Sequence, residues 1–180
     1  MSSIDLVILG IVLEKPQSAY DIQKQVEYRN ISKWVKISTP SIYKKTIQLE
    51  QKGLIRGTVV KEGKMPEKAV YSLTEEGQRE FEKLMEEIAA KPIHIFLDFN
   101  AVIVNLENLP PEKQKACIRS IEENVRELKM CLEQNMREKE DLPEVHAAGK
   151  AVLQQQLVLA EAIEKWILSV KENFPMDENA

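Results

Sequence analysis

The chain is poor in the residues that covalent and metal chemistry need. Of 180 residues, two are cysteine, two histidine and six glycine. Cys117 and Cys131 fall on one predicted helix, about 21 Å apart at a rise of about 1.5 Å per residue. A disulfide needs Cα atoms within about 7 Å, so the two do not bridge within the chain. Small core or surface residues in a reducing cytosol are the expected role, with an intersubunit disulfide or a redox switch as the alternative. His94 and His146 have no cysteine or carboxylate at ligand spacing, which argues against a metal. There is no phosphate-binding glycine loop, no nucleophile elbow and no paired metal ligands. Neither an enzyme nor a cofactor is expected. Long hydrophobic runs are missing too. Residues 4–13 lack a basic flank and a small-residue cleavage site. Ile93 to Leu106 is too short to span a bilayer and is interrupted by Asp98 and Asn100. A cytoplasmic protein with no membrane contact is expected.

What is present is a split of charge. The net charge is -4, which argues against a uniformly basic nucleic-acid binder. Residues 15–68, however, carry twelve Lys or Arg against five Asp or Glu, whereas residues 91–180 carry eleven against sixteen. A basic segment joined to an acidic one suits a DNA-contacting domain carried by a domain that avoids DNA.

The basic segment holds the clearest motif. Thr39-Pro40-Ser41-Ile42-Tyr43-Lys44-Lys45 leads to Leu49-Glu50-Gln51-Lys52-Gly53-Leu54-Ile55. Thr39 is the expected N-cap, Pro40 suits the first helical position, and Gly53 suits a left-handed helix end. Ser41, Tyr43, Lys44 and Lys45 are donors able to reach phosphates or base edges. Ser18 and Asp21 have capping-box spacing at the start of a preceding helix. Residues 3–13, with Ser3 as cap, read as a helix that is apolar nearly all round and therefore buried. Leu54 to Lys61 and Lys68 to Leu73 alternate as two strands around a polar turn. The order helix, helix, helix, strand, turn, strand is that of a winged helix-turn-helix.

The rest is helical. Thr74 caps a fourth helix with a stripe of Phe81, Leu84, Met85 and Ile88. A short helix is expected over Ile93 to Leu106. After Pro110 and Pro111, Ile118, Ile121, Val125, Leu128 and Leu132 step by three and four, the seam of a helix packed lengthwise on another. A last helix, from about Glu144 to Phe174, carries Leu153, Leu157, Ile163 and Ile167. The expected fold is thus mostly α with a small β-wing. It comprises a winged helix-turn-helix over 1–90 and an antiparallel helix hairpin over 91–180. The hairpin either folds back on its own chain or pairs with a second copy. Homodimerisation through these two stripes is favoured, since two-fold proteins read two-fold operators.

The motifs resemble the PadR family of bacterial transcriptional regulators. Tyr20-Asp21-Ile22 is similar to the start of the family's second helix, with Ala19 in place of the usual glycine. Ser41-Ile42-Tyr43 with Leu49 to Ile55 is similar to its recognition helix. Val70-Tyr71-Ser72-Leu73-Thr74-Glu75-Glu76-Gly77 is similar to its second wing strand and the next helix start. Thr46 departs from the family's usual aliphatic residue. The C-terminal layout resembles the longer branch, whose helices are like those of virulence activators. The resemblance implies a homodimer on double-stranded DNA bearing an inverted repeat, and repression relieved by a small aromatic or phenolic effector.

Candidate DNA contacts are Tyr20, Thr39, Ser41, Tyr43, Lys44, Lys45 and Gln48, with Lys61, Lys64 and Lys68 on the wing. Tyr20 and Tyr43 have a second reading as core rings. Trp34, Phe96, Phe99 and Trp166 are candidates for an effector pocket, against the commoner role of aromatic core. A protein-interaction module built on a winged helix is the alternative function.

Overall fold

The computed structural model describes residues 1–61, 67–139 and 147–173. Two compact units appear, Met1–His94 and Ile95–Ala180.

The first unit opens with α1 (Ser3–Glu14). Its N-cap is Ser2, one residue before the expected Ser3, and the Ser2 N–H donates to Asp5 Oδ2 at 2.7 Å. Asp5 sits where a capping box needs an acceptor, which Ser3 as cap would not provide. Ile8, Leu9, Ile11 and Val12 are buried, but Leu13 is exposed, so α1 is not covered on every side. A two-residue strand, β1 (Gln17–Ser18), follows; no alternation announces so short a strand. Ser18 then caps α2 (Ala19–Tyr28), accepting from the Asp21 N–H at 3.2 Å.

After a 3-10 turn at Ile31–Lys33 comes α3 (Thr39–Gln51). Its N-cap is Ser38, so Thr39 is the first helical residue rather than the cap, and Pro40 is the second. Gly53 has φ +72°. Its N–H bonds to the Glu50 carbonyl at 2.8 Å, and the Leu54 N–H bonds to the Leu49 carbonyl at 3.0 Å. This pair of bonds is a Schellman ending, and it turns the chain into β2 (Ile55–Val60).

β2 pairs antiparallel with β3 (Lys68–Leu73), from Ile55 opposite Leu73 to Val60 opposite Lys68. β1 pairs with the other edge of β3, giving the order β1-β3-β2. Thr74 caps α4 (Glu75–Ala89) by accepting from the Gly77 N–H at 3.0 Å. Ile22, Val26, Ile42, Leu49, Leu54, Ile55, Tyr71 and Leu84 close the core around α1. Met85, expected on the inner stripe of α4, is exposed.

In the second unit the expected helix over Ile93 to Leu106 is reduced to α5 (Asn100–Ile103) and a 3-10 turn at Leu106–Asn108. Ile93, Ile95 and Phe96 lie in irregular, exposed chain. So short a segment has little helical stability of its own, and packing decides: Phe99, Ile103 and Leu106 join the core, whereas Ile93 and Phe96 do not.

Two long helices follow, α6 (Pro111–Lys139) and α7 (Ala147–Asn173). Lys129 pairs with Glu164 at 2.7 Å and Lys171 with Glu122 at 2.9 Å. As one number rises the other falls, so the helices run antiparallel. Ile118, Ile121, Val125 and Ile167, expected at a contact between subunits, are instead buried within this hairpin together with Leu106 and Val170. Ile163 packs beside them. Leu132, Leu153 and Leu157 are half-buried and Leu128 is exposed. No helix among the described residues is long and apolar enough to cross a membrane.

Candidate nucleic-acid interface

The helical period divides α3 cleanly. Ile42, Thr46 and Leu49 form the inner stripe, each almost completely buried. Thr46 is tolerated there because its hydroxyl donates to the Ile42 carbonyl at 2.9 Å, leaving no unsatisfied polar atom. Opposite this stripe lie Pro40, Tyr43, Lys44, Ile47 and Gln51, all exposed. Tyr43 is therefore not a core ring. Gln48 is half-buried on one flank. Ser41, also half-buried, shares a short hydrogen bond with the hydroxyl of Ser38.

Lys45 stands apart from Lys44. It follows Ile42 by three and precedes Leu49 by four, which places it at the edge of the inner stripe. Its Nζ lies 3.2 Å from Asp5 Oδ1 and 3.4 Å from Asp5 Oδ2. Asp5 is itself only 3% exposed. Burial works to raise its pKa, but the Ser2 hydroxyl and N–H and the Lys45 ammonium outweigh that and hold it below the ordinary carboxylate value.

The other expected contacts flank α3. Tyr20, in the first turn of α2, is exposed, and Lys24 Nζ lies 5.5 Å from its ring centroid. The Ser18 hydroxyl, and to a smaller degree its N–H and the charges of Lys68 and Lys15, hold Asp21 below its usual pKa against the opposing effect of burial. On the wing Lys61 and Lys68 are exposed. Lys64 and the Thr39 side chain lie outside the described residues. The exposed Arg56 on β2, like Ile47 and Gln51, was not among the expected contacts. Counting residues around α3 from Ile42 would have found the last two. Glu50 Oε1 accepts from the Gly57 N–H at 2.9 Å, tying α3 to the wing strand.

The effector candidates are divided between the two units. Trp34 is in the first unit and exposed. In the second unit Phe96 is 86% exposed, whereas Phe99 and Trp166 stack with centroids 5.6 Å apart and planes 23° apart. Cys117 is half-buried and Cys131 exposed.

Three helices, a Schellman turn into a two-stranded wing and a third short strand define a winged helix-turn-helix protein with a C-terminal helical unit. Residues 8–83 match the model of the transcriptional regulator PadR-like family, so the winged domain is similar to that family's. Solved structures share the fold over nearly the whole length. PadR of Bacillus subtilis in complex with operator DNA is 18% identical, with a TM-score of 0.81 over 96% of this chain and 99% of that one. The same regulator in complex with p-coumaric acid is 17% identical, with a TM-score of 0.77 over 98% and 99%. The virulence activator AphA of Vibrio cholerae is 20% identical, with a TM-score of 0.71 over 95% and 97%. No curated protein sequence matches significantly.

Proposed function

We propose that the protein is a homodimeric repressor that binds an inverted-repeat operator and is released by a small aromatic effector. The observation that carries this reading is the outer face of α3: Tyr43, Lys44, Ile47 and Gln51 exposed on a helix whose opposite stripe is locked in the core. A protruding helix of this width enters the major groove. Lys44 would neutralise phosphate, Tyr43 and Gln51 would donate to phosphate or base edges, and Lys61, Lys68 and Arg56 would meet the backbone. Leu128 and Met130 on α6, with Val158 and Leu168 on α7, are exposed apolar residues that a second copy would cover. The phenolic ligand of the Bacillus subtilis relative supports a planar aromatic effector, with the stacked Phe99 and Trp166 as a candidate aromatic platform.

An electrophoretic shift on the DNA upstream of the protein's own gene tests the reading. Specific retention, abolished by Lys44→Glu, is expected. Equal affinity for random DNA, or no retention, would refute it. A winged domain that binds a protein partner would tolerate Lys44→Glu.

A further inference from the structure

We propose that Lys45 is a positioning residue and not a phosphate contact: held by the buried Asp5 of α1, it fixes the angle at which α3 presents Tyr43, Lys44 and Ile47. The inference rests on the DNA-binding reading above and divides the work of two adjacent lysines.

Three observations carry it. The Lys45 ammonium lies within 3.4 Å of both Asp5 oxygens and donates to Oδ2. Its side chain is 31% exposed, whereas that of its partner Asp5 is only 5% exposed. Pulling the lysine away would leave a buried carboxylate without its cation, which is strongly unfavourable. Asp5 is also fixed from its own side, since the Ser2 N–H and hydroxyl both donate to Oδ2, at 2.7 and 2.8 Å. The carboxylate is thus an anchored post on α1, and Lys45 is the strap from α3 to it. Moreover, a lysine paired with a carboxylate adds little net positive charge toward a phosphate. Lys44, one residue earlier, is turned about 100° around the helix and is exposed.

The pair is tested by salt titration of operator binding with Lys44→Met, Lys45→Met, Asp5→Asn and the Asp5→Asn/Lys45→Met double variant. Methionine keeps most of the lysine stem and removes the charge. Losing a phosphate contact lowers the slope of log K against log salt by about 0.9, so Lys44→Met should lower it by about 1.8 for the two copies of a dimer. Lys45→Met should weaken binding by about tenfold with the slope unchanged. The double variant should be no weaker than Lys45→Met, because the two residues act as one unit. A fall in slope for Lys45→Met equal to that of Lys44→Met would overturn the proposal, as would additive losses in the double variant.

Amine labelling of the wild-type protein avoids any folding defect of Asp5→Asn. Lys44 should react freely and become protected by operator. Lys45 should react slowly both with and without operator. Operator-dependent protection of Lys45 would again overturn the assignment. If the wild-type protein binds no DNA, the DNA-binding reading itself fails and the proposal falls with it; a changed Lys45 slope in a protein that does bind removes the proposal alone.

Discussion

At the residue scale, two glycines are fixed by what a methyl group would strike. A Cβ at Gly57 would stand 2.5 Å from Glu50 Oε1 and 3.1 Å from the Tyr71 ring. Glu50 would have to move and its bond to the Gly57 N–H would go. A Cβ at Gly77 would stand 1.9 Å from the Leu54 carbonyl oxygen, a backbone atom with nowhere to go. Gly57→Ala is therefore expected to destabilise by about 1 kcal/mol and Gly77→Ala by about 3 kcal/mol or more, measured by chemical denaturation. Equal effects would contradict this reading of the two sites. Thr46→Val should be neutral or slightly stabilising, since the buried hydroxyl only adds a second bond to a carbonyl already within the helix. Asp5 sets a pH dependence of known sign. Its folded pKa lies below the ordinary value, so its contribution is complete above an unfolded pKa of about 3.9 and is lost as pH falls through the lower folded value. Asp5→Asn should flatten the fall of thermal stability below about pH 4 relative to wild type; parallel profiles would contradict it.

At the element scale, what the sequence made legible depended on how many chemically equivalent neighbours competed. Ser18 and Thr74 each stand alone before their helices, and both were identifiable as caps. Ser2 and Ser38 were each missed by one residue because Ser3 and Thr39 carry the same hydroxyl. The strands β2 and β3 announced themselves by alternation, whereas β1 exists only because Gln17 and Ser18 find Tyr71 and Val70 opposite. The apolar segment after Pro92 forms little helix, because Phe99, Ile103 and Leu106 join the hairpin core whereas Ile93 and Ile95 are exposed. On α3 the motif was plain, but the adjacent Lys44 and Lys45 looked alike. Their different roles depend on Asp5, forty residues away in sequence. The caps give a direct test. Thr74 Oγ1 accepts from the Gly77 N–H and also lies 2.7 Å from the Gly53 carbonyl and 3.0 Å from that of Leu54. It thereby joins the end of the Schellman turn to the start of α4. Ser18→Ala should cost about 1 kcal/mol and Thr74→Ala about 2 kcal/mol, read as shifts in denaturation midpoint. The reverse order would show that the link across the turn contributes nothing.

At the scale of the whole molecule, charge and apolar surface are distributed for different purposes. The excess of Lys and Arg over residues 15–68 belongs to the winged unit, and the acidic excess over 91–180 to the helical unit. DNA affinity should therefore reside in the first unit and fall steeply with salt. Self-association should reside in the second. Covering Ile118, Ile121, Val125 and Ile167 inside the hairpin leaves Leu128 and Met130 on α6 and Val158 and Leu168 on α7 exposed, among the described residues, to a second copy. A Leu128→Glu/Leu168→Glu variant should sediment as a monomer and lose at least tenfold in operator affinity. An unchanged dimer would move the subunit contact elsewhere.

The outward presentation of α3 can be probed by photocrosslinking from a benzophenone amino acid at position 47, which is 50% exposed in the middle of the face opposite Ile42, Thr46 and Leu49. In the presence of the upstream DNA, position 47 should crosslink to it with high yield, and competition with unlabelled operator should remove the adduct. A stable, specific complex in which position 47 never reaches the DNA, while a probe at Met85 on α4 does, would contradict the account.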